Sequence, residues 1–157
     1  MIIPINSLAL IQVDITRGNL NPLPVAVSPL SIDEKSRKSF EKALKKENIG
    51  EEISKIVENN LGTSGLFNPL NKEAFLQAPD IANLKPRFED WNLIKAQALI
   101  TGKVNYLDDK LRVEFRLWDV LAAKEMMALA FTTVPSNWRR VGPVSYTHLT
   151  LPTSSWV

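Results

Sequence analysis

The sequence predicts an α+β domain, a sheet centred on a three-strand meander and covered by two or so helices. Three observations predict it. Residues 111–118 alternate strictly: Leu111, Val113, Phe115 and Leu117 on one side, Arg112, Glu114, Arg116 and Trp118 on the other. That is the period of a strand with one buried face. The β-type run 98–106 precedes it across the short polar loop Leu107, Asp108, Asp109, Lys110, which reads as a hairpin, and a third run, 125–133, follows a short connection. Finally, Ile49, Ile53, Ile56, Val57 and Leu61 fall on one face of an α-helix. That stripe is too narrow to be buried all round, so it must lie on a sheet.

The remaining elements follow in order. Residues 1–9 start apolar and contain Ser7-Leu8-Ala9, the small-x-small spacing of a signal cleavage site; they read as a leader or a signal-peptide remnant. Residues 10–15 alternate Ile11, Val13 and Ile15 with Gln12 and Asp14, a candidate strand, and Arg17-Gly18-Asn19 is turn chemistry. Residues 23–27 are a short strand that either begins at Pro24 or places it on an unpaired edge, because proline lacks a ladder donor. Residues 33–47 form a charge run whose main apolar residues are Phe40 and Leu44. It reads as a solvated, partly helical insertion.

Asn48 stands at a cap position with Glu51 three residues on, a capping box for the amphipathic helix, and Gly62 and Gly65 supply its stop. Leu66-Phe67 is extended. Residues 71–77 are a short helical candidate capped by Asn71, with Phe75 and Leu76 inward. Residues 79–86 read as a loop, and 88–94 as a one- to two-turn helix carrying Phe88, Trp91 and Ile94. After Pro135 a helix starts, with Trp138 and Val141 facing inward. From Gly142 onward no pattern fits the rest.

Length and composition bound the function. A chain of 157 residues suits one domain, large enough for a core without staples. A net charge of +2 is too weak to argue for nucleic acid or an anionic membrane surface. The absence of cysteine excludes disulfides, thiolate metal sites and a cysteine nucleophile. No apolar run approaches the ~20 residues of a membrane span. His148, the single histidine, lies in the unpatterned tail, so a histidine base or zinc site is not expected. Asp108 and Asp109 are explained by their turn. Glu114, between Arg112 and Arg116, is explained by cross-strand pairing. Gly62 to Gly65 lacks the lysine and following helix of a phosphate loop. Trp91, Trp118 and Trp138 read as packing residues. No catalytic, cofactor-binding or metal-ligating residue is assigned.

An ordered set of segments carries a resemblance. Arg17-Gly18-Asn19, Pro22-Leu23-Pro24-Val25-Ala26-Val27, Leu61-Gly62-Thr63-Ser64-Gly65-Leu66-Phe67, Ala98-Leu99-Ile100-Thr101-Gly102, the run 111–120 and Asn137-Trp138-Arg139-Arg140 resemble, in that order, the N-terminal domain of the TolB family. The resemblance covers roughly residues 10–140. It implies helices packed on a mixed β-sheet, in a family where a six-bladed β-propeller follows. It also implies a monomeric, periplasmic, non-enzymatic component of the Tol–Pal system, serving outer-membrane integrity and constriction during division. Pal would be reached only through the propeller, which this sequence lacks. The implied partner is TolA, an inner-membrane protein. The matching segment is Leu10, Ile11, Gln12, Val13, Asp14, Ile15, Thr16 and Arg17, whose alternating apolar residues suit addition to a partner's sheet edge. Residues 145–153 are similar to a translated sequencing adaptor, so 142–157 are expected to be an artefactual or disordered tail. The alternative is a stand-alone small enzyme or ligand-binding domain on a similar scaffold.

Overall fold

The computed structural model describes residues 21–141. Residues 1–9, the expected strand at 10–15, the eight residues 10–17 expected to bind a partner, and residues 142–157 lie outside the described residues. The elements run β1 (Leu23–Val27), β2 (Ser31–Ile32), α1 (Glu34–Leu44), α2 (Ile49–Thr63), β3 (Phe67–Pro69), α3 (Pro79–Leu84), α4 (Phe88–Leu93), β4 (Ala98–Leu107), β5 (Lys110–Asp119) and β6 (Lys124–Thr133). Short 3₁₀ turns cover Lys72–Ala74 and Pro135–Asn137.

The strand order is β3-β1-β4-β5-β6, with β2 adding to β4 beyond the end of β1. β1 pairs parallel with β3 and β4, and the β4-β5-β6 meander is antiparallel, so the sheet is mixed. The hairpin turn is tighter than the four-residue loop expected. Strands reach Leu107 and Lys110, leaving only Asp108 and Asp109, both at positive φ (51° and 60°). Aspartate tolerates that left-handed pair, which matches the strand twist.

Each sheet face has its own cover. On the first, Val25, Val27, Ile100, Val104, Leu111, Val113 and Phe115 meet Phe40 of α1 and Ile49, Ile53, Val57 and Leu61 of α2. The four α2 residues are fully buried, each contributing about 1.5–3 kcal/mol of transfer free energy. On the second, Ala26, Leu99, Trp118 and Val120 meet Ala82 of α3 and Trp91 of α4. Trp118 thus lies opposite Leu117 as expected, but on a face that is covered at that end. Trp138 and Val141 are buried in the first cluster, and all three tryptophans named as packing residues are buried.

Several local expectations are corrected. β1 begins at Leu23, and Pro24 sits in a central strand, neither at the strand start nor on an edge. The Pro24 carbonyl accepts from Gln97 N just before β4 begins at Ala98. Its donor-less nitrogen therefore falls beyond the start of the neighbouring strand and breaks no ladder bond. The charge run 33–47 is partly helical, as expected, over Glu34–Leu44, but Phe40 is fully buried against the sheet, so the helix forms part of the core cover and is solvated only on its outer side. Asn48 stands at the α2 N-cap but makes no side-chain capping bond. Gly62 lies within α2, and the stop belongs to Gly65 at φ +77°. Leu76 is 60% exposed and does not face inward. Residues 79–84 are helical, not a loop: Pro79 occupies the first turn, where its missing N–H costs nothing.

Candidate interaction site

The residues assigned to partner binding, 10–17, lie outside the described residues, and the structure brings none of them together. It does describe where the chain arrives from them. Leu23 starts β1, six positions after Arg17, between β3 and β4. Leu23 N donates to the Leu66 carbonyl on one side, and the Pro24 carbonyl accepts from Gln97 N on the other.

The polar groups of the described domain mostly join one element to the next. Asp33 caps α1: its carboxylate accepts from Ser36 N at 2.8 Å, Ser36 Oγ at 2.9 Å and Asn105 Nδ2 at 2.9 Å. The backbone bond from Ser36, with the two side-chain bonds, outweighs desolvation and holds its carboxyl below the ordinary aspartate value. Ser36 Oγ accepts in turn from Tyr106 N at 3.0 Å, tying α1 to β4. Buried Gln77 accepts from Arg87 N (2.9 Å) and Trp91 Nε1 (3.0 Å) and donates to the Lys85 carbonyl (3.1 Å). It therefore pins the turn before α3 to α4.

Ser54 and Lys72 have the separation of a serine–lysine dyad, Nζ to Oγ 2.8 Å. The arrangement does not suit nucleophilic chemistry. Ser54 is fully buried on α2, its hydroxyl donates to the Glu51 carbonyl, and the Lys72 ammonium is paired with Glu58 at 2.7 Å. Sequence reasoning named neither this tie nor Gln77. Both join residues far apart in the chain, and no spacing marks them.

Asp108 and Asp109 form the hairpin turn. Glu114 faces Lys103 across β4–β5 at 3.5 Å, the cross-strand pairing expected. An open depression of about 700 Å³ lies where α1 meets α2, lined by Lys38, Lys42, Lys45 and Lys46 together with Glu41, Glu47 and Glu52. Lys46 and Glu52 are paired across it at 3.0 Å. Among the described residues no group of three or more acidic or histidine side chains is placed to hold a metal, and no helix is long and apolar enough to cross a membrane.

The architecture is that of a small α+β module in which three parallel strands join an antiparallel meander and helices cover both faces. The chain belongs to the TolB amino-terminal domain family, whose model matches residues 11–126. It is 78% identical over 144 residues to the Tol-Pal system protein TolB of Pelagibacter ubique (strain HTCC1062), an alignment covering 92% of this chain and 32% of that protein. The chain thus spans about a third of that relative's length. The crystal structure of TolB from Acinetobacter baumannii shares the fold, with a TM-score of 0.62 at 19% identity over 83% of this chain and 29% of that one. A dodecameric PelC from Paraburkholderia phytofirmans is similar in fold, with a TM-score of 0.50 at 15% identity over 80% of this chain and 86% of that one.

Proposed function

We propose that the chain is a periplasmic, non-enzymatic interaction domain of a Tol–Pal system. It engages a TolA-like inner-membrane protein through Leu10, Ile11, Gln12, Val13, Asp14, Ile15, Thr16 and Arg17, and it supports outer-membrane integrity and constriction during cell division. Pal contacts belong to the further two thirds of the longer relatives. The observation that carries this reading is the 78% identity to a Tol-Pal system protein across nearly the whole chain. Two features support the mode of binding. Residues 10–15 alternate apolar and polar side chains, as a strand added to a partner's sheet edge requires. They also stand upstream of β1, whose first residues are hydrogen-bonded to neighbours on both sides.

The test is calorimetric titration of the C-terminal domain of the cognate TolA-like protein with the full chain and with a chain lacking residues 10–17. Binding by the first and its loss in the second, with thermal unfolding unchanged, is the expected result. Equal binding by both moves the site elsewhere in the domain. No binding by a folded full chain overturns the reading.

A further inference from the structure

Among the described residues, the second face of the sheet is covered at one end. Trp118, Leu99 and Ala26 lie under α3 and α4. Beyond Trp118 the same face continues as three rows across β4, β5 and β6: Thr101–Arg116–Ala128, Lys103–Glu114–Ala130 and Asn105–Arg112–Thr132. Side chains two apart on one strand are about 7 Å apart, and neighbours across strands about 5 Å. Three cations therefore share a small, flat area.

Their charges are not balanced. Glu114 is the acid among them, and both Lys103 (3.5 Å) and Arg112 (4.0 Å) lean on it. Arg116 is half-buried, and its guanidinium has no hydrogen bond or ion pair with another described residue. Glu125 lies one row further, beyond the bulge at Leu117/Trp118, and does not pair with it. Asp33, at the far end, is occupied with Ser36 and Asn105. Beside the arginines, Ala128, Ala130 and Thr132 are short and exposed. The β6 side of the platform is therefore low, and a chain laid along it reaches both guanidinium groups.

We propose that this open half-face docks an acidic peptide segment of a protein partner, with Arg116 and Arg112 donating to two of its carboxylates. A planar guanidinium already partly desolvated gains a charge-assisted, bidentate bond at small further desolvation cost. The unbalanced positive charge of the platform is what selects a segment carrying several carboxylates. The proposal uses none of residues 10–17 and does not depend on the TolA reading.

The test uses the full chain and a labelled oligo-glutamate peptide at low salt, read by fluorescence anisotropy. Arg116→Ser is expected to weaken binding about tenfold, and Arg116→Lys less, because charge is kept and the fork lost. A Lys42→Ser/Lys45→Ser double variant, which alters the α1–α2 depression, is expected to bind like the native chain. In parallel, amide chemical shifts of the native chain are expected to move at residues 101–105, 112–116 and 128–132. This mapping serves whether or not the arginine variants fold. No binding by the native chain, or shifts and losses centred on residues 38–52, overturns the proposal.

Discussion

At the scale of single residues, backbone contact and hydrogen bonding decide more than side-chain bulk. Gly50 lies in the first turn of α2, where a Cβ would collide with the Leu30 carbonyl. Backbone cannot swing aside as a side-chain tip does, so Gly50→Ala must push the start of α2 away from Leu30. A loss of about 1–3 kcal/mol is expected, the cost of overpacking, although alanine is the better helix former. A lowered urea midpoint with the slope unchanged would verify it, and a stabilised variant would refute it. Asp33 gives a pH-dependent case. Its carboxyl is held below the ordinary value, first by the Ser36 backbone bond. A depressed carboxylate contributes stability that is present above the unfolded pKa, about 3.9, and is lost as pH falls through the lower folded value. Asp33→Ala is therefore expected to cost about 1 kcal/mol at pH 7. The difference from the native chain should shrink as pH falls below about 4. Urea titrations at both pH values measure it, and a difference that grows in acid would contradict the assignment.

At the scale of elements, what was legible in the sequence was what repeats. The meander and α2 announce themselves because period 2 and the i, i+4 stripe recur over ten or more residues. α1 was half legible: Phe40 is its one fully buried large side chain, and a single residue makes no period. α3 was not legible, being six residues long with Ala82 and Asn83 as its buried positions. Its place is fixed by Gln77, whose three bonds cross from the turn before α3 to α4, and a lone glutamine carries no sequence signal. The proposed partner-binding segment stands apart: its assignment to residues 10–17 rests on the resemblance, since alternation alone describes any edge strand. Two predictions follow the buried anchors. Phe40→Ala should cost about 3–5 kcal/mol, because α1 loses its one deep anchor in the first core. Gln77→Leu, similar in size, leaves Trp91 Nε1, Arg87 N and the Lys85 carbonyl without this partner. It should cost about 2–4 kcal/mol, since stranded buried polar groups cost more than a lost bond. Thermal and urea unfolding of both variants test this, and a neutral Gln77→Leu would show that water replaces the amide.

At the scale of the whole molecule, the two faces of one sheet are unequal, and that inequality predicts an order of opening. The first core joins α1 of eleven residues and α2 of fifteen to β1, β4 and β5, with α2 burying Ile49, Ile53, Val57 and Leu61 completely. The second core rests on two six-residue helices, and their surfaces leave Ile81, Leu84 and Leu93 more than half exposed. Helices so short do not hold themselves in water and depend on the few side chains they bury, chiefly Trp91 and Ala82. Opening α3 and α4 would uncover Trp118, Leu99 and Ala26 but leave the β1-β4-β5 hydrogen bonds and the whole first core in place. Sub-global opening draws on the least buried unit first. Native-state hydrogen exchange is therefore expected to show amides of α3 and α4 exchanging well before those of β4, β5 and α2. Gln77→Leu should widen that gap by lowering protection in α3 and α4 alone. Equal protection across both faces would mean that the second core opens only with the sheet, and that Gln77 stabilises the whole domain, not one layer of it.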